Sequence, residues 1–399
     1  MMRTEDEAGV ATLDLNADLN PAPADLPAAD APQASTPQLS TQHVSAEDAR
    51  QSEFGGRAPR EGERPRYKSA DPRPRTPRAP DDPERPRLPK RDIDGWVLLD
   101  KPIGMTSTQA VSVVKRLFNA KKAGHAGTLD PLASGCLPIA FGEATKTVPY
   151  VMDGQKTYRF TVRFGTEMDT DDAEGTPVAT SDVRPSDEDI LDALEQFRGE
   201  VMQVPPAYSA LKIAGARAYD LAREGEQVVL EARPVVIHRL DLVARPDADH
   251  AVLEAECGKG TYVRAIARDL GRMLGTCGHV SMLRRAAVGA FLEEQLVTLD
   301  DLRARADAGE GPLFEALDPL DCALEDLPQL SVSPQDAHRL RCGQNVFLRG
   351  RDAPIFDGHV AVSCQGSLIA IGDMVEGEIR PHRVFNWSRA MPRALRRTA

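Results

Sequence analysis

Two hydrophobic rhythms alternate along this chain from Gly95 onward. Residues Gly95-Trp96-Val97-Leu98-Leu99-Asp100 form an apolar run that stops at Lys101-Pro102, the signature of a buried strand. Thr106-Ser107-Thr108 then offers helix caps, and Val111, Val114, Leu117 and Phe118 recur at helical spacing. Between Lys156 and Gly165 the period drops to two. Tyr158, Phe160, Val162 and Phe164 fall on one face, and Thr157, Arg159, Thr161 and Arg163 on the other, which predicts a half-buried strand. Ser186 with Asp189 three residues on makes a capping box for a helix carrying Ile190, Leu191, Leu194 and Phe197. Val235 to Val243 and Val252 to Cys257 read as further strands, and Thr261 to Leu274 as a helix.

Strands and helices mix here without regular βαβ alternation, and several strands are half-solvated. The expected class is α+β, a mixed and largely antiparallel sheet with flanking helices over residues 93–322. Past residue 325 the texture changes. Ser333-Pro334 opens a short helix through His338 to Leu340, closed by Gly343. Short runs through Val360, Val362, Leu368, Ile369, Ile371 and Val384 follow, with turn residues at Asp357-Gly358 and Gln365-Gly366. This predicts a small β-barrel-type domain over 325–399. Residues 1–92 lack clustered large apolar side chains, and the first 91 hold 14 of the chain's 31 prolines. Such a stretch buries too little surface to offset backbone entropy and is expected to be a disordered, Pro/Arg-rich extension.

Charge complicates the choice of partner. Residues 1–50 carry a net −7 and residues 51–91 a net +5, which leaves −10 of the total −12 for the body. An acidic body argues on average against a nucleic-acid binder, since phosphate contact needs cations. Basic residues nevertheless cluster at Lys115-Arg116, Lys121-Lys122, Arg264, Arg268, Arg272 and Arg284-Arg285. The basic half of the extension is either an arm for RNA phosphates or a solubilising tail. The six cysteines include no C-x-x-C pair and no histidine at metal-ligand spacing, so reduced thiols and a cytoplasmic location are expected, with no metal. No apolar run approaches the ~18 residues of a membrane span, and the acidic, proline-rich start is unlike a secretory signal.

Two nucleotide motifs nearly match. Gly142-Glu143-Ala144-Thr145-Lys146-Thr147 lacks the phosphate-loop spacing. Cys257-Gly258-Lys259-Gly260-Thr261-Tyr262-Val263 lies between a strand and a helix but has Val263 where a dinucleotide fingerprint needs its third glycine. No nucleotide cofactor is expected from either.

The segment His125-Ala126-Gly127-Thr128-Leu129-Asp130-Pro131-Leu132-Ala133-Ser134-Gly135 sets a lone carboxylate among small, apolar and turn-forming residues. On local spacing alone Asp130 reads as a helix N-cap with Pro131 at the first helical position. By the same local logic Tyr158 is ordinary packing, His125 a polar loop residue, and Arg268 with Arg272 a solvated helical stripe. The combination points elsewhere. That segment, Lys156-Thr157-Tyr158-Arg159, Pro205-Pro206-Ala207-Tyr208-Ser209-Ala210-Leu211-Lys212 and Lys259-Gly260-Thr261-Tyr262-Val263-Arg264 occur in this order. Asp100-Lys101-Pro102-Ile103-Gly104-Met105-Thr106-Ser107 precedes them and Leu283-Arg284-Arg285 follows. Together they resemble the TruB family of tRNA pseudouridine-55 synthases over roughly residues 94–320.

The resemblance implies a pseudouridine-synthase-like fold and an isomerase that flips a uridine out of the tRNA T-loop, detaches uracil and rejoins it through C5. It implies tRNA as partner and no cofactor. Asp130 is the implied nucleophile, with Arg264 as the cation that counters the cost of burying it and Tyr158 stacking on the base and a candidate for taking the C5 proton. His125, Tyr262 and Leu283 are implied substrate contacts. Lys101 and the Lys121-Lys122 pair are candidates for phosphate contact, and Lys101 also has a structural reading. By position, the C-terminal module is expected to be PUA-like and RNA-binding, or else a plain scaffold. Gly258 departs from the family pattern, where serine is frequent. The rival reading is an RNA chaperone without chemistry, against which Asp130 and Arg264 both stand.

Overall fold

Side-chain alternation decides what each face of the principal sheet covers. The computed structural model describes residues 89–209, 211–213, 216–218, 230–348 and 356–386, so the disorder expected of the extension lies, up to residue 88, outside them. Strands β1 (Gly95–Lys101), β2 (Ala123–His125), β3 (Ala133–Phe141) and β4 (Lys156–Phe164) come first. A hairpin of β5 (Thr166–Met168) and β6 (Pro177–Thr180) stands outside the sheet, which resumes with β7 (Gly199–Gln203). After a second hairpin, β8 (Lys212–Ile213) and β9 (Ala216–Arg217), it continues through β10 (Arg233–Asp247), β11 (His250–Cys257), β12 (Gly278–Val288), β13 (Phe291–Leu292) and β14 (Val297–Thr298). The order is β14-β1-β3-β12-β4-β11-β10-β7, with β2 on β3 and β13 on β12. Among its described pairings only β1–β14 and β3–β12 run parallel. The sheet is therefore mixed and largely antiparallel, as the absence of βαβ rhythm predicts.

On one face Val97, Leu99, Leu137, Ile139 and Phe141 meet Phe160, Val162 and Phe164. This face is covered by Ala110 and Val114 of helix Ser107–Leu117, Ile190 and Leu194 of helix Asp187–Leu194, and Ile266 and Leu270 of helix Val263–Met273. On the other face Trp96, Leu98, Cys136 and Ala140 pack with Ala361, Leu368, Ile371 and Phe385 from the C-terminal sheet. The helices begin where the caps predict. Thr106 with Gln109 and Ser186 with Asp189 each form a reciprocal capping box, a feature worth about 1 kcal/mol. One apolar assignment differs: Leu191 is half exposed, and Ala193 takes its place on the buried stripe.

The folded region also starts earlier than residue 93. The Arg91 N–H donates to Asn119, the Arg91 carbonyl accepts from Lys121, and the guanidinium lies 4.9 Å from the Phe314 ring centroid. At the other end, β15 (Gln329–Ser331), β16 (Val346–Phe347), β17 (Gly358–Cys364), β18 (Ser367–Val375) and β19 (Glu378–Val384) form a curled half-barrel sheet in the order β15-β17-β18-β19-β16. Helix Pro334–Arg341, capped by Ser333, closes over its core of Val346, Val360, Val362, Ile369 and Ile379.

Candidate active site

Register brings four distant residues to one end of the helix-covered face. Lys101 shares the alternation of Val97 and Leu99 on β1. Tyr158 on β4 stands opposite Arg285 on β12, and Phe160 opposite Leu283, which also neighbours Ala133 of β3. Close approach of β3 and β12 needs Gly135: its φ is +94°, and a Cβ there would lie 2.3 Å from the Arg285 carbonyl oxygen.

Asp130 does not start a helix. Its carbonyl accepts the Ala133 N–H at 3.1 Å across a turn, and β3 begins at Ala133. Pairing of the buried run Ala133–Phe141 with β1 and β12 overrides the local helix-start signal. The flanks of Asp130 are fixed instead by tertiary hydrogen bonds. Ser107 Oγ both accepts the Leu129 N–H at 2.8 Å and donates to the Leu129 carbonyl at 3.0 Å, and the Gly104 N–H donates to Pro131 at 2.8 Å.

Arg264 lies in the first turn of helix Val263–Met273, whose N-cap residue Tyr262 is clamped by Gln203 of β7. Gln203 Oε1 accepts the Tyr262 N–H at 2.8 Å, and Nε2 donates to its carbonyl at 3.2 Å. The guanidinium of Arg264 pairs with Asp130 at 3.0 Å and with Asp172 at 3.4 Å. It also donates to the carbonyls of Thr170 and Tyr208 at 2.9 and 3.0 Å. Its side chain is 8% exposed while that of Asp130 is 40% exposed, so a buried, fully engaged cation presents a reachable carboxylate.

Two expectations about charge are overturned. Arg268 belongs to no solvated stripe: it is buried, pairs with Asp171 at 3.0 Å and donates to the Val204 carbonyl at 2.8 Å. Arg272 is exposed as expected and binds Glu167. Lys101 is fully buried, and its ammonium donates to the carbonyls of Pro102 at 2.8 Å and Met105 at 2.6 Å. It is the structural reading of Lys101 that holds, because an ammonium so placed braces the loop beside Pro131 and offers nothing to a phosphate. Burial pushes it down to about 8, opposed by the charges of Asp130 and Glu174. Lys121 is exposed and paired with Asp92 at 2.7 Å.

The remaining implied contacts surround the pair. Burial raises the Tyr158 phenol and the Tyr262 phenol above their ordinary range. His125, on β2, is pushed down by burial and by the nearby Arg285, which leaves it neutral at pH 7; its Nδ1 is buried without a hydrogen-bond partner among the described residues. Leu283 is buried in the sheet beneath. A cavity of about 120 Å³ lined by Gln203, Arg233, Gly260 and Tyr262 adjoins this group.

Sequence reasoning missed three contributors. Asp172 and the Thr170 carbonyl orient Arg264 from a loop with no recognisable motif. Arg285, which the sequence offers only as half of a basic pair, is buried beside Tyr158. The near-miss nucleotide motifs dissolve: β11 is antiparallel to both its neighbours, so Gly258 and Gly260 lie in no βαβ unit, and Lys146 is bound to Glu143 and the Val384 carbonyl. Among the described residues no group of three or more His, Cys, Asp or Glu is placed to hold a metal, and no helix is long and apolar enough to cross a membrane.

Known proteins carry the same arrangement of sequence. Residues 115–263 match the TruB family pseudouridylate synthase N-terminal domain, and residues 264–325 the tRNA pseudouridylate synthase B C-terminal domain. The tRNA pseudouridine synthase B of Bradyrhizobium diazoefficiens is 63% identical over 300 residues, covering 74% of this chain and 87% of that protein. The chain belongs to the TruB family. The enzyme of the same description from Nitrobacter winogradskyi is 61% identical, over 75% of this chain and 84% of its own. In three dimensions the chain is similar to one in the crystal structure of a Cbf5-Nop10-Gar1 complex, with a TM-score of 0.58 and 27% identity over 76% of this chain and 87% of that one. A chain in the structure of an H/ACA RNP bound to a substrate RNA containing 2'-deoxyuridine gives 0.58 and 25%, over 76% and 86%. The two TruB segments meet between Val263 and Arg264, inside the site. Asp130 and Tyr158 come from the first, Arg264, Leu283 and Arg285 from the second, and β12 binds both β3 and β4 of the first.

Proposed function

We propose that this chain isomerises uridine 55 in the T-loop of tRNA to pseudouridine. The observation that carries the reading is the Asp130–Arg264 pair at 3.0 Å, a half-exposed carboxylate on a buried guanidinium in a TruB frame. The net conversion breaks the N1–C1′ bond and forms C5–C1′. The proton at C5 leaves, N1 takes one up, and no electrons are exchanged with a carrier. Asp130 is the nucleophile; Arg264 holds one of its oxygens and leaves the other free to react. The target base must leave its stack at a cost of a few kcal/mol, and a ring such as that of Tyr158 returns ~1–3 kcal/mol by stacking. Neutral His125 occupies space beside the everted nucleotide and helps hold the flipped state. Tyr262 and Leu283 line the pocket for uracil.

In the same proposal, residues 93–322 make the catalytic domain and 325–399 a PUA-like module that adds RNA contacts. The reading is supported by the division between the ten-stranded sheet and the five-stranded one. Action in the cytosol accords with six free cysteines and a tRNA substrate. The decisive assay uses tRNA tritiated at uridine C5. Wild type releases tritium to water stoichiometrically, and Asp130→Asn binds the tRNA but releases none. Release by the Asn variant at the normal rate removes the nucleophile assignment, and binding without release by wild type favours the chaperone.

A further inference from the structure

Arg285 is 1% exposed, and it pairs with no carboxylate among the described residues. A guanidinium taken out of water at a cost of several kcal/mol and left without a counter-ion needs another reason to be there. Its hydrogen bonds say where it acts. Nε donates to the Cys136 carbonyl at 2.8 Å and one terminal nitrogen to the Gly127 carbonyl at 3.2 Å, within the loop that leads to Asp130. Gly127 has φ +96°, and a Cβ there would stand 3.2 Å from the other terminal nitrogen, so the loop lies directly against the guanidinium. Cross-strand register sets Arg285 directly opposite Tyr158, and its charge acts on the Tyr158 phenol.

We propose that Arg285 is the positioning residue for Tyr158: it sets the phenol and the Asp130 loop against one guanidinium, so that the phenol oxygen is placed to take the C5 proton. This rests on the isomerase reading above. Once C5 has bonded to C1′ it still carries its hydrogen. The C5–H electron pair returns to the ring as the C5=C6 double bond, the proton passes to Tyr158, whose own phenol proton has already gone to solvent, N1 takes a proton from solvent, and Arg285 stays protonated throughout. A phenol is a poor base at neutral pH, and burial makes it poorer. A neighbouring cation works in the opposite sense, and Arg285 offsets part of the burial effect while the phenol stays above its ordinary range. The other titratable groups facing this pair are Asp130, Lys101, His125, Lys156, Cys136 and Cys257.

The test compares Arg285→Met, Arg285→Lys, Tyr158→Phe and the Tyr158→Phe/Arg285→Met double variant in the full chain. Single-turnover tritium release is followed against pH, and tRNA affinity is measured separately. Arg285→Met is expected to bind tRNA within about threefold of wild type and to release tritium about 100-fold more slowly, in the range of lost acid–base catalysis. The alkaline rise of its rate is expected to move to higher pH. Arg285→Lys, which keeps the charge, is expected to recover about tenfold of that loss and folds if the Met variant does not. The double variant is expected to be no slower than Tyr158→Phe alone, because Arg285 acts through the phenol. Multiplying losses in the double variant, a Met or Lys variant with wild-type rate and profile, or a loss confined to affinity would overturn the proposal. Absence of release by wild type would instead overturn the isomerase reading on which it rests.

Discussion

Replacing Arg264 by Met separates two roles of one guanidinium. Arg264 serves Asp172, whose side chain is 5% exposed, and Asp130, which is 40% exposed. These partners differ in what they lose. Asp130 keeps water on one side, and pairs of that exposure are worth about 1 kcal/mol or less. Asp172 is left as a stranded charge, with only the Thr170 hydroxyl at 2.6 Å and the Glu174 N–H at 3.1 Å among the described residues, and breaking such a buried pair costs about 3–5 kcal/mol. Arg264→Met should therefore lower unfolding free energy by about 3–5 kcal/mol in urea titrations. Asp130→Asn should lower it by less than about 1 kcal/mol while abolishing tritium release. Adding Asp172→Asn to Arg264→Met should return about 2 kcal/mol or more and no activity, since it removes the stranded charge without restoring the group that orients Asp130. If Asp130→Asn destabilises as much as Arg264→Met, or if Asp172→Asn returns nothing, the division of labour argued from burial is wrong.

The buried ammonium of Lys101 makes stability depend on alkaline pH. Its folded-state value of about 8 lies below the ordinary 10.5, so the unfolded chain holds more protons across that window, and stability rises with pH through it by about 3 kcal/mol from this group. Lys101→Met should flatten that rise in urea midpoints taken between pH 7.5 and 10.5; an unchanged slope would show that the ammonium is better solvated than its burial implies. Gly135→Ala, which drives a Cβ to within 2.3 Å of the Arg285 carbonyl at a left-handed φ, should cost about 2–3 kcal/mol and slow tritium release, and a neutral effect would mean that β3 and β12 part easily. Removal of residues 1–88 should leave the single-turnover rate within about twofold while reducing the salt dependence of tRNA affinity, as expected of a basic arm. The cut belongs before Pro89, because Arg91 binds Asn119, Lys121 and Glu310. A collapse of the rate would give the extension a part in the chemistry.

Elements whose signal is local were legible in the sequence. The capping boxes at Thr106 and Ser186, the period-two strand over Lys156–Phe164 and the Ser333 cap all reappear where spacing puts them. The errors fall where a long-range contact outweighs a local preference. Asp130-Pro131 has good helix-start chemistry, yet the next nine residues gain more by pairing with two strands. Arg268 and Arg272 share a helix face by spacing, but Asp171 and Val204 close over only the nearer one. Leu191 sits at an apolar position of its helix, but the stripe is narrower than the sequence suggests. Motif order singled out Asp130, Tyr158 and Arg264 as candidates, and the structure pairs Asp130 with Arg264, whereas Asp172 and Arg285 emerge only from strand register and loop packing.

That register also resolves the conflict between an acidic chain and a polyanionic substrate. Of the cations that the sequence offers for phosphates, Arg264, Arg268, Arg285 and Lys101 are buried. Arg284 is held by Asp100 at 3.0 Å and by Glu293 at 2.5 Å on the face turned away from Tyr158. Burial and pairing keep these groups from direct contact with RNA phosphates. What they build is a local field: three buried guanidinium and ammonium groups, Arg264, Arg285 and Lys101, around one accessible carboxylate. The exposed Arg116 and Lys122, with the basic half of the extension, form a separate set of candidates for affinity. Mutations in the first set should change the chemical step with little effect on salt-dependent binding, and mutations in the second should do the reverse. A member of the inner set whose loss altered the salt slope would mean that the site is more open to the RNA backbone than its burial allows.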